Sequence, residues 1–383
     1  MKKPKYITLQ QHIKEQIRCG HYNVNDRLPS ENELAHEFNV SRHTVLKGMA
    51  QLTAEGWIER FQGKGTFVAA RNMKNPLGSH TVALICSDLS ESLIVHIING
   101  LSSFLKEHKY ELLILDSAHS TEREAEHLDS LEDRGLAGAF FWPHMPPVNR
   151  DRVDILQKRG FHIVLLDRGY EDLDIPVVGT DNEAGAYEVT RHLIEMGHTR
   201  IAHITIGMQA ERMVEPIAMR EQGFRRALKE NGITLSDELI QHVDFQVAEQ
   251  ATAHASLRNV LAYEAMHRLL ALPQKPTAVF VLNDLFAPSC ILAIKNHGLK
   301  VADDIALAGF DNDFEAGEFP VPLTSYAQPG REIGIMAGNL FAKLANKQKL
   351  DTFNYKIPGR LIVRHSSQPL QFSKLADNGD KSI

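Results

Sequence analysis

In the first seventy residues the apolar positions recur at helical spacing. Leu9, Ile13 and Ile17 share one face of a predicted helix over 6–19. Pro29 and Ser30 then precede an acidic run, with Glu33 three residues after Ser30. That capping-box spacing predicts a helix over 31–37 whose Leu34, Ala35 and Phe38 turn inward. Asn39-Val40 is a tight break, and Ser41 caps a third helix with Val45, Met49 and Leu52 on its inner face. Gly56 to Arg60 reads as a turn and strand, and 61–68 as a hairpin tip with its return strand. Two helices joined by a tight turn, followed by such a hairpin, form a helix-turn-helix with a wing.

The pattern changes after Val68. Asn75-Pro76 and Gly78-Ser79 are breakers, so 71–80 reads as a linker after an N-terminal domain of 1–70. From Thr81 onward continuous apolar runs of strand length alternate with amphipathic helices: 81–87, 110–117, 137–143, 161–167 and 177–182 are the first set of strands. A second set follows at 200–206, 239–245, 278–284 and 305–311, and 323–329 and 361–367 close the body. Apolar strands separated by helices imply parallel sheets covered on both faces. The expected fold is therefore α/β, two doubly wound parallel-sheet lobes over 81–372 behind an α+β head. Lobe one is expected at about 81–181 and 328–357, lobe two at about 182–327 and 358–370, and 373–383 reads as a flexible tail.

Composition and charge narrow the class. The 383 residues are 43% hydrophobic and 23% charged, with no apolar run of membrane-spanning length and no apolar segment after the Lys-rich start. Cys19, Cys86 and Cys290 lie too far apart for a disulfide framework or a metal cluster, which fits a reducing cytoplasm. The net charge of −6 argues against nucleic acid until its distribution is considered. Residues 1–74 hold 12 Lys and Arg against 7 Asp and Glu, leaving 30 against 41 for the rest. A basic head on an acidic body suits a head that meets phosphates. Gly63-Lys64-Gly65 is not a phosphate-binding P-loop, because Ile58 stands where the first glycine of that motif belongs.

The phrases LPSENELAHEFNVSRHTV and LTAEGWIERFQGKGTFV resemble the GntR-type winged helix-turn-helix over residues 5–70. The resemblance implies double-stranded operator DNA as partner. It makes Ser30, Asn32, Ser41, Arg42, His43 and Thr44 candidate contacts of the helices, with Gln62, Gly63, Lys64 and Gly65 in the wing. Asn32 and Leu46 stand where many members carry arginines, so an operator unlike the one most members read is expected. Taken singly, Ser41 to Thr44 could be a solvated cap and the glycines an ordinary hairpin.

The body carries a second resemblance. GTDNEAGAYEVTRHLIEMGHTRIAHI, MREQGFRRALKENGI, KPTAVFVLND, GLKVADDIALAGFD and PLTSYAQP resemble, in order, the effector domain of the LacI/GalR family, whose fold is the periplasmic-binding-protein type 1. A GntR-type head on such a body is the arrangement of arabinose-repressor-type regulators. By position in the matching motifs, Arg220 and Asp311 are the first ligand candidates, followed by Asn283, Phe245, Gln328, Asp167 and Ser87. Arg and Asp can each hold two adjacent sugar hydroxyls, and an aromatic ring covers the apolar face. Asp311 could instead cap a turn, Arg220 could bridge through a carboxylate, and Phe245 could be core.

The expected function is a cytoplasmic repressor, a homodimer released from operator DNA by a small sugar or sugar derivative, with neither cofactor nor metal. A purine-like or phosphorylated corepressor of opposite sign is the alternative. A pyridoxal-phosphate enzyme-like body, also known behind GntR heads, would need a Schiff-base lysine in a recognisable setting, and none is found. No two-carboxylate hydrolase site is legible, so an enzyme is not expected.

Overall fold

The computed structural model describes residues 4–18, 21–54, 56–69, 80–89, 91–145, 148–207, 215–244 and 255–367. Apart from His80 the predicted linker lies outside these, as do Phe245, Cys19 and the predicted tail. The chain divides into two compact units. One holds Met1–Ser79, Asp129–Leu136 and Asp151–Phe161, the other His80–Leu128, Ala137–Arg150 and His162–Ile383.

In the first unit α1 (Lys5–Arg18), α2 (Glu31–Glu37) and α3 (Arg42–Ala54) precede an antiparallel hairpin of β1 (Ile58–Phe61) and β2 (Gly65–Val68). The capping box at α2 forms in both directions: Glu33 N–H donates to Ser30 Oγ at 3.3 Å, and Ser30 N–H donates to Glu33 Oε2 at 2.6 Å. Leu9, Ile13, Leu34, Val45, Met49 and Leu52 meet in one core with Trp57, Ile58 and Val68, so α1, α2, α3 and the hairpin share their apolar faces. Ala35 and Phe38 are only partly buried at its margin. Gly48 lets α3 approach α1, since a Cβ there would lie 3.0 Å from Leu9 Cδ2.

The second unit contains two six-stranded sheets. The first runs β13-β7-β6-β5-β3-β4, from β3 (Thr81–Cys86), β4 (Glu111–Asp116), β5 (Gly138–Phe141), β6 (Ile163–Leu166), β7 (Val177–Thr180) and β13 (Asn354–Ile357). The second runs β14-β12-β11-β10-β8-β9, from β8 (Ile201–Gly207), β9 (Ile240–Asp244), β10 (Ala278–Val281), β11 (Ala306–Asp311), β12 (Thr324–Ala327) and β14 (Arg360–Ile362). Every pairing is parallel except β12 with β14, an antiparallel edge that the pattern of apolar runs does not reveal. The chain passes between the sheets after β7, after β12 and after β13.

Alternation within the apolar strands builds two cores on the second sheet. Ala202, Ile204, Val279 and Val281 face one side, against α9 (Ala255–Leu270) and α10 (Ala287–Asn296). Ile201, Ala278, Phe280 and Phe310 face the other, against α7 (Asn182–Glu195) and α8 (Glu215–Glu230). On the first sheet α4 (Ser92–Glu107) and α11 (Gly330–Ala345) cover Val82, Leu84, Phe140 and Val164. The two helices cross at glycines. A Cβ on Gly334 would overlap Ile97 O and lie 2.7 Å from Leu101 N. No described helix is long and apolar enough to cross a membrane.

His203 is fully buried between Phe224 and Phe280, with ring centroids 5.0 and 4.7 Å away, and its Nδ1–H donates to Phe280 O at 2.9 Å. Burial holds its pKa down at about 4, so the ring is neutral at pH 7. The unfolded chain binds a proton at this residue below its ordinary pKa of about 6.5, whereas the folded chain does so only near 4. Stability therefore falls as pH drops through that window.

Two stability predictions follow from this packing. Gly334→Ala lowers stability by about 1–3 kcal/mol through overpacking, read as a lower urea midpoint. Between pH 6.5 and 4 the urea midpoint of the unaltered chain falls more steeply than that of His203→Phe, and parallel profiles would assign the acid limb to other groups.

Candidate functional site

At the start of α3, Ser41 Oγ accepts the Thr44 amide at 3.2 Å and lies 2.9 Å from Thr44 Oγ1, so these two side chains cap the helix. Arg42 and His43 are exposed beside them, as is Asn32 on α2. Arg42 Nη2 lies 3.0 Å from Glu31 Oε2, and Arg60 on β1 pairs with the other oxygen of the same carboxylate. Glu31 thus gathers guanidiniums from α3 and β1. Neither Glu31 nor Arg60 is singled out by the sequence pattern, because their meeting depends on the fold.

The wing turns at Gln62, Gly63 and Lys64, all exposed. Gly63 has φ +76 and Gly65 φ +116, in the region that disfavours side chains. At Gly65 a Cβ would come within 2.9 Å of Arg27 Nε, so a further arginine lies against the wing. Ser30 is engaged in capping α2.

The second unit contains a cavity of about 570 Å³, lined from both sheets by residues at the carboxyl ends of strands. Five of the ligand candidates line it: Arg220, Asp311, Asn283, Gln328 and Asp167. Ser87 does not; its neighbour Asp88 takes that place, while the Ser87 carbonyl accepts the His119 amide at 3.0 Å. Ser87 itself, half-buried, is not among the lining residues. Phe245 lies outside the described residues.

Arg220 is 8% exposed. Its Nε donates to Asn182 Oδ1 at 2.8 Å, its Nη1 to Leu282 O at 2.8 Å, and its Nη2 lies 3.4 Å from Asp311 Oδ1. The guanidinium also stacks 3.8 Å from the Phe310 ring centroid. Gln328 Nε2 donates to Asp311 Oδ1 at 2.7 Å, and Thr180 Oγ1 donates to Gln328 Oε1. The chain of contacts Arg220, Asp311, Gln328, Thr180 thus runs from the second sheet to the end of β7 in the first.

Burial pushes the Asp311 carboxyl up to about 7 even though Arg220 pulls it down, and burial likewise lowers Arg220. Desolvation outweighs the attraction of the pair, as expected for a charge pair with incomplete hydrogen bonding. Asp311 and Asp167 also hold positive φ values, 105 and 65, an arrangement for which a side chain needs support from its surroundings. Asp167 Oδ2 accepts two bonds from Arg168, at 2.9 and 2.6 Å, and Arg168 lies 5.9 Å from the Trp142 ring. Trp142 and Arg168 both line the cavity. Asp284 is buried and fully engaged by Ser325 Oγ and the Asp313 amide, a structural role. Asn283 Oδ1, by contrast, is buried with no hydrogen-bond partner.

Lining residues that the motifs do not indicate include Asp88, Glu91, Trp142, Arg168 and Asp313. The only signal for them is their place just after an apolar strand, where open α/β sheets collect ligands. Among the described residues no group of three or more His, Cys, Asp or Glu could hold a metal ion.

Comparison with known proteins places both units. Residues 5–68 match the family of bacterial regulatory proteins of the gntR family, and 190–367 match the periplasmic binding protein-like domain. The arabinose metabolism transcriptional repressor of Halalkalibacterium halodurans is 30% identical over 97% of this chain and 98% of its own. Its namesake in Geobacillus stearothermophilus is 29% identical over 96% and 98%. The crystal structure of transcription regulator CcpA of Lactococcus lactis shares the fold, with a TM-score of 0.64 at 22% identity over 76% of this chain and 99% of that one. The chain therefore belongs to the family of transcriptional repressors that join a GntR-type head to a periplasmic-binding-protein-like body, DNA-binding regulators rather than enzymes.

Proposed function

We propose that this repressor acts in the cytoplasm as a homodimer, holds operator DNA through two heads, and releases it when a small sugar or sugar derivative enters the cavity of the body. The observation that carries the reading is the run Arg220, Asp311, Gln328 along the cavity wall, which Gln328 continues to Thr180 at the end of β7. A ring hydroxyl can enter this run by donating to Asp311 and accepting from Arg220, the bidentate exchange that suits a polyol. Asp311 is held there with too few donors for its charge, so a hydroxyl that donates to it is favoured. Trp142 supplies an aromatic surface for the C–H side of a ring. The names of the two arabinose metabolism repressors support a carbohydrate, because those chains align with this one almost end to end.

Release then follows from linkage. Ligand that bridges both sheets stabilises one mutual placement of the lobes, and a twofold dimer matches half-sites at only one spacing. In this reading residues 1–70 bind DNA, 71–80 connect, and 81–372 bind effector and pair with the second copy. Arg42, His43, Thr44, Ser41 and Asn32 face the bases or nearby phosphates. Lys64, with Gln62 between the strands and Gly63 and Gly65 allowing close approach, meets the backbone at the wing.

Two experiments test the proposal. DNA selected from a random pool by the full chain is expected to be an inverted repeat, and fluorescence anisotropy on it should show affinity falling about 5–150-fold with saturating effector. Selection of single half-sites would remove the dimer, and unchanged affinity across pentoses, hexoses and their derivatives would remove the sugar response. Asp311→Asn should keep sugar-free DNA affinity while losing most of that response. On the same DNA, Arg42→Ala weakens binding by about 1–3 kcal/mol and relaxes one position of the site, whereas Lys64→Ala weakens all sequences alike and flattens the salt dependence.

A further inference from the structure

The compact unit that holds the head also takes in Asp129–Leu136 and Asp151–Phe161, two segments that the chain reaches only after β4 and β5. They comprise the end of α5 (Thr121–Ser130) and nearly all of α6 (Arg150–Lys158). Two ion pairs bind them together: Arg152 Nε lies 3.1 Å from Asp129 Oδ1, and Arg159 Nη1 lies 2.7 Å from Glu132 Oε2. The other end of the Arg159 fork goes elsewhere. Its Nη2 donates to the carbonyl of Ile17 at 2.7 Å, in the last turn of α1.

Both sides of this contact are fixed by helix termini. The Gly160 amide donates to Gln157 O at 2.8 Å and the Phe161 amide to Leu156 O at 3.0 Å, with Gly160 at φ +79. That Schellman ending holds Arg159 as the closing residue of α6. On α1, the last four carbonyls have no partner within the helix. Gln16 O receives the Tyr22 amide at 3.1 Å, and Ile17 O receives the guanidinium. A cation there also meets the negative pole of the helix dipole. α1 is tied in turn to α3. The buried Gln10 donates through Nε2 to Gly48 O at 3.2 Å, and Lys47 Nζ lies 4.4 Å from the Tyr6 ring centroid. Whatever holds α1 therefore holds α3.

α6 is also the crossover between β5 and β6. Trp142 follows β5, Asp167 and Arg168 follow β6, and all three line the cavity. One strand-helix-strand unit thus ends in the cavity wall through both its strands and grips α1 through its helix. We propose that Arg159 is a clasp that fixes α1, and with it α3, against α6, and that a shift of the cavity wall reaches the DNA-binding helices along α6 and not through the covalent link alone. The proposal rests on the twofold-dimer reading. Clasped heads meet half-sites at one spacing, whereas heads held only by the covalent link reach many spacings, each at a lower effective concentration.

Fluorescence anisotropy of the full chain tests this on the selected inverted repeat, on the same repeat with its half-sites moved apart by one to five base pairs, and on a single half-site. For the unaltered chain a shift of five base pairs, about half a turn of DNA, is expected to cost about a hundredfold in affinity. Arg159→Gln should weaken binding at the selected spacing about tenfold, cut the cost of the shift to about threefold, and leave the single half-site within about twofold. Any sugar that lowers the affinity of the unaltered chain should lower that of Arg159→Gln less than about threefold. If Arg159→Gln melts at a lower temperature than the unaltered chain, Glu132→Gln carries the test. It leaves the guanidinium in place without its anchor, and the same flattening of the spacing profile is expected to a smaller degree. An unchanged spacing profile, tighter binding by the variant, an equal loss on the single half-site or an undiminished sugar response overturns the clasp and leaves the dimer reading intact. An unaltered chain indifferent to spacing overturns both.

Discussion

The buried guanidinium of Arg220 is the constraint around which the cavity is arranged. A cation withdrawn from water has to be met on all sides, and here Asn182, the Leu282 carbonyl, Asp311 and the face of Phe310 meet it. Those four contacts come from α7 and from the ends of β10 and β11. Fixing one side chain therefore fixes the relative position of three elements of the second sheet. Asp311 is held in turn by Gln328, which reaches Thr180 at the end of β7. A single buried charge thus connects the packing of one sheet to the edge of the other.

That arrangement leaves the carboxylate side of the cavity undersupplied with donors. The pair is stabilised less by attraction than it is penalised by desolvation, as the raised Asp311 and lowered Arg220 both indicate. The left-handed backbone at Asp167 and Asp311 belongs to the same picture, since residues held in sparsely populated conformations concentrate where function requires them.

Much of the scaffold was legible because its signals are local. The capping box at Ser30 and Glu33 needs only four consecutive residues, and it forms in the expected place. The apolar strand runs are equally self-contained, and their alternation predicts two covered faces without any knowledge of neighbours. The cavity was legible only in part. Arg220, Asp311, Asn283, Gln328 and Asp167 stand in recognisable phrases, but Glu91, Trp142 and Arg168 stand in none and acquire their position through loops that converge from distant strands. At the end of β3 it is Asp88, one residue beyond the motif position Ser87, that lines the cavity. The antiparallel edge at β14 was hidden for another reason, because strand direction is a property of the connection and not of the strand's own residues.

The pairing of Arg42 and Arg60 with Glu31 has a consequence for the thermodynamics of operator recognition. A free arginine on a helix surface gives up rotamer entropy when it engages an oxyanion, on the order of 2 kcal/mol for the whole side chain. With one carboxylate holding both guanidiniums, part of that loss has already occurred on folding. If the proposed operator complex engages these arginines, docking exchanges one oxyanion for another. The enthalpy gained is then smaller and the ordering penalty smaller too, and discrimination between sequences rests on how well a given phosphate or base edge replaces Glu31. In that complex a built-in competitor of this kind would bias the surface against loosely fitting DNA.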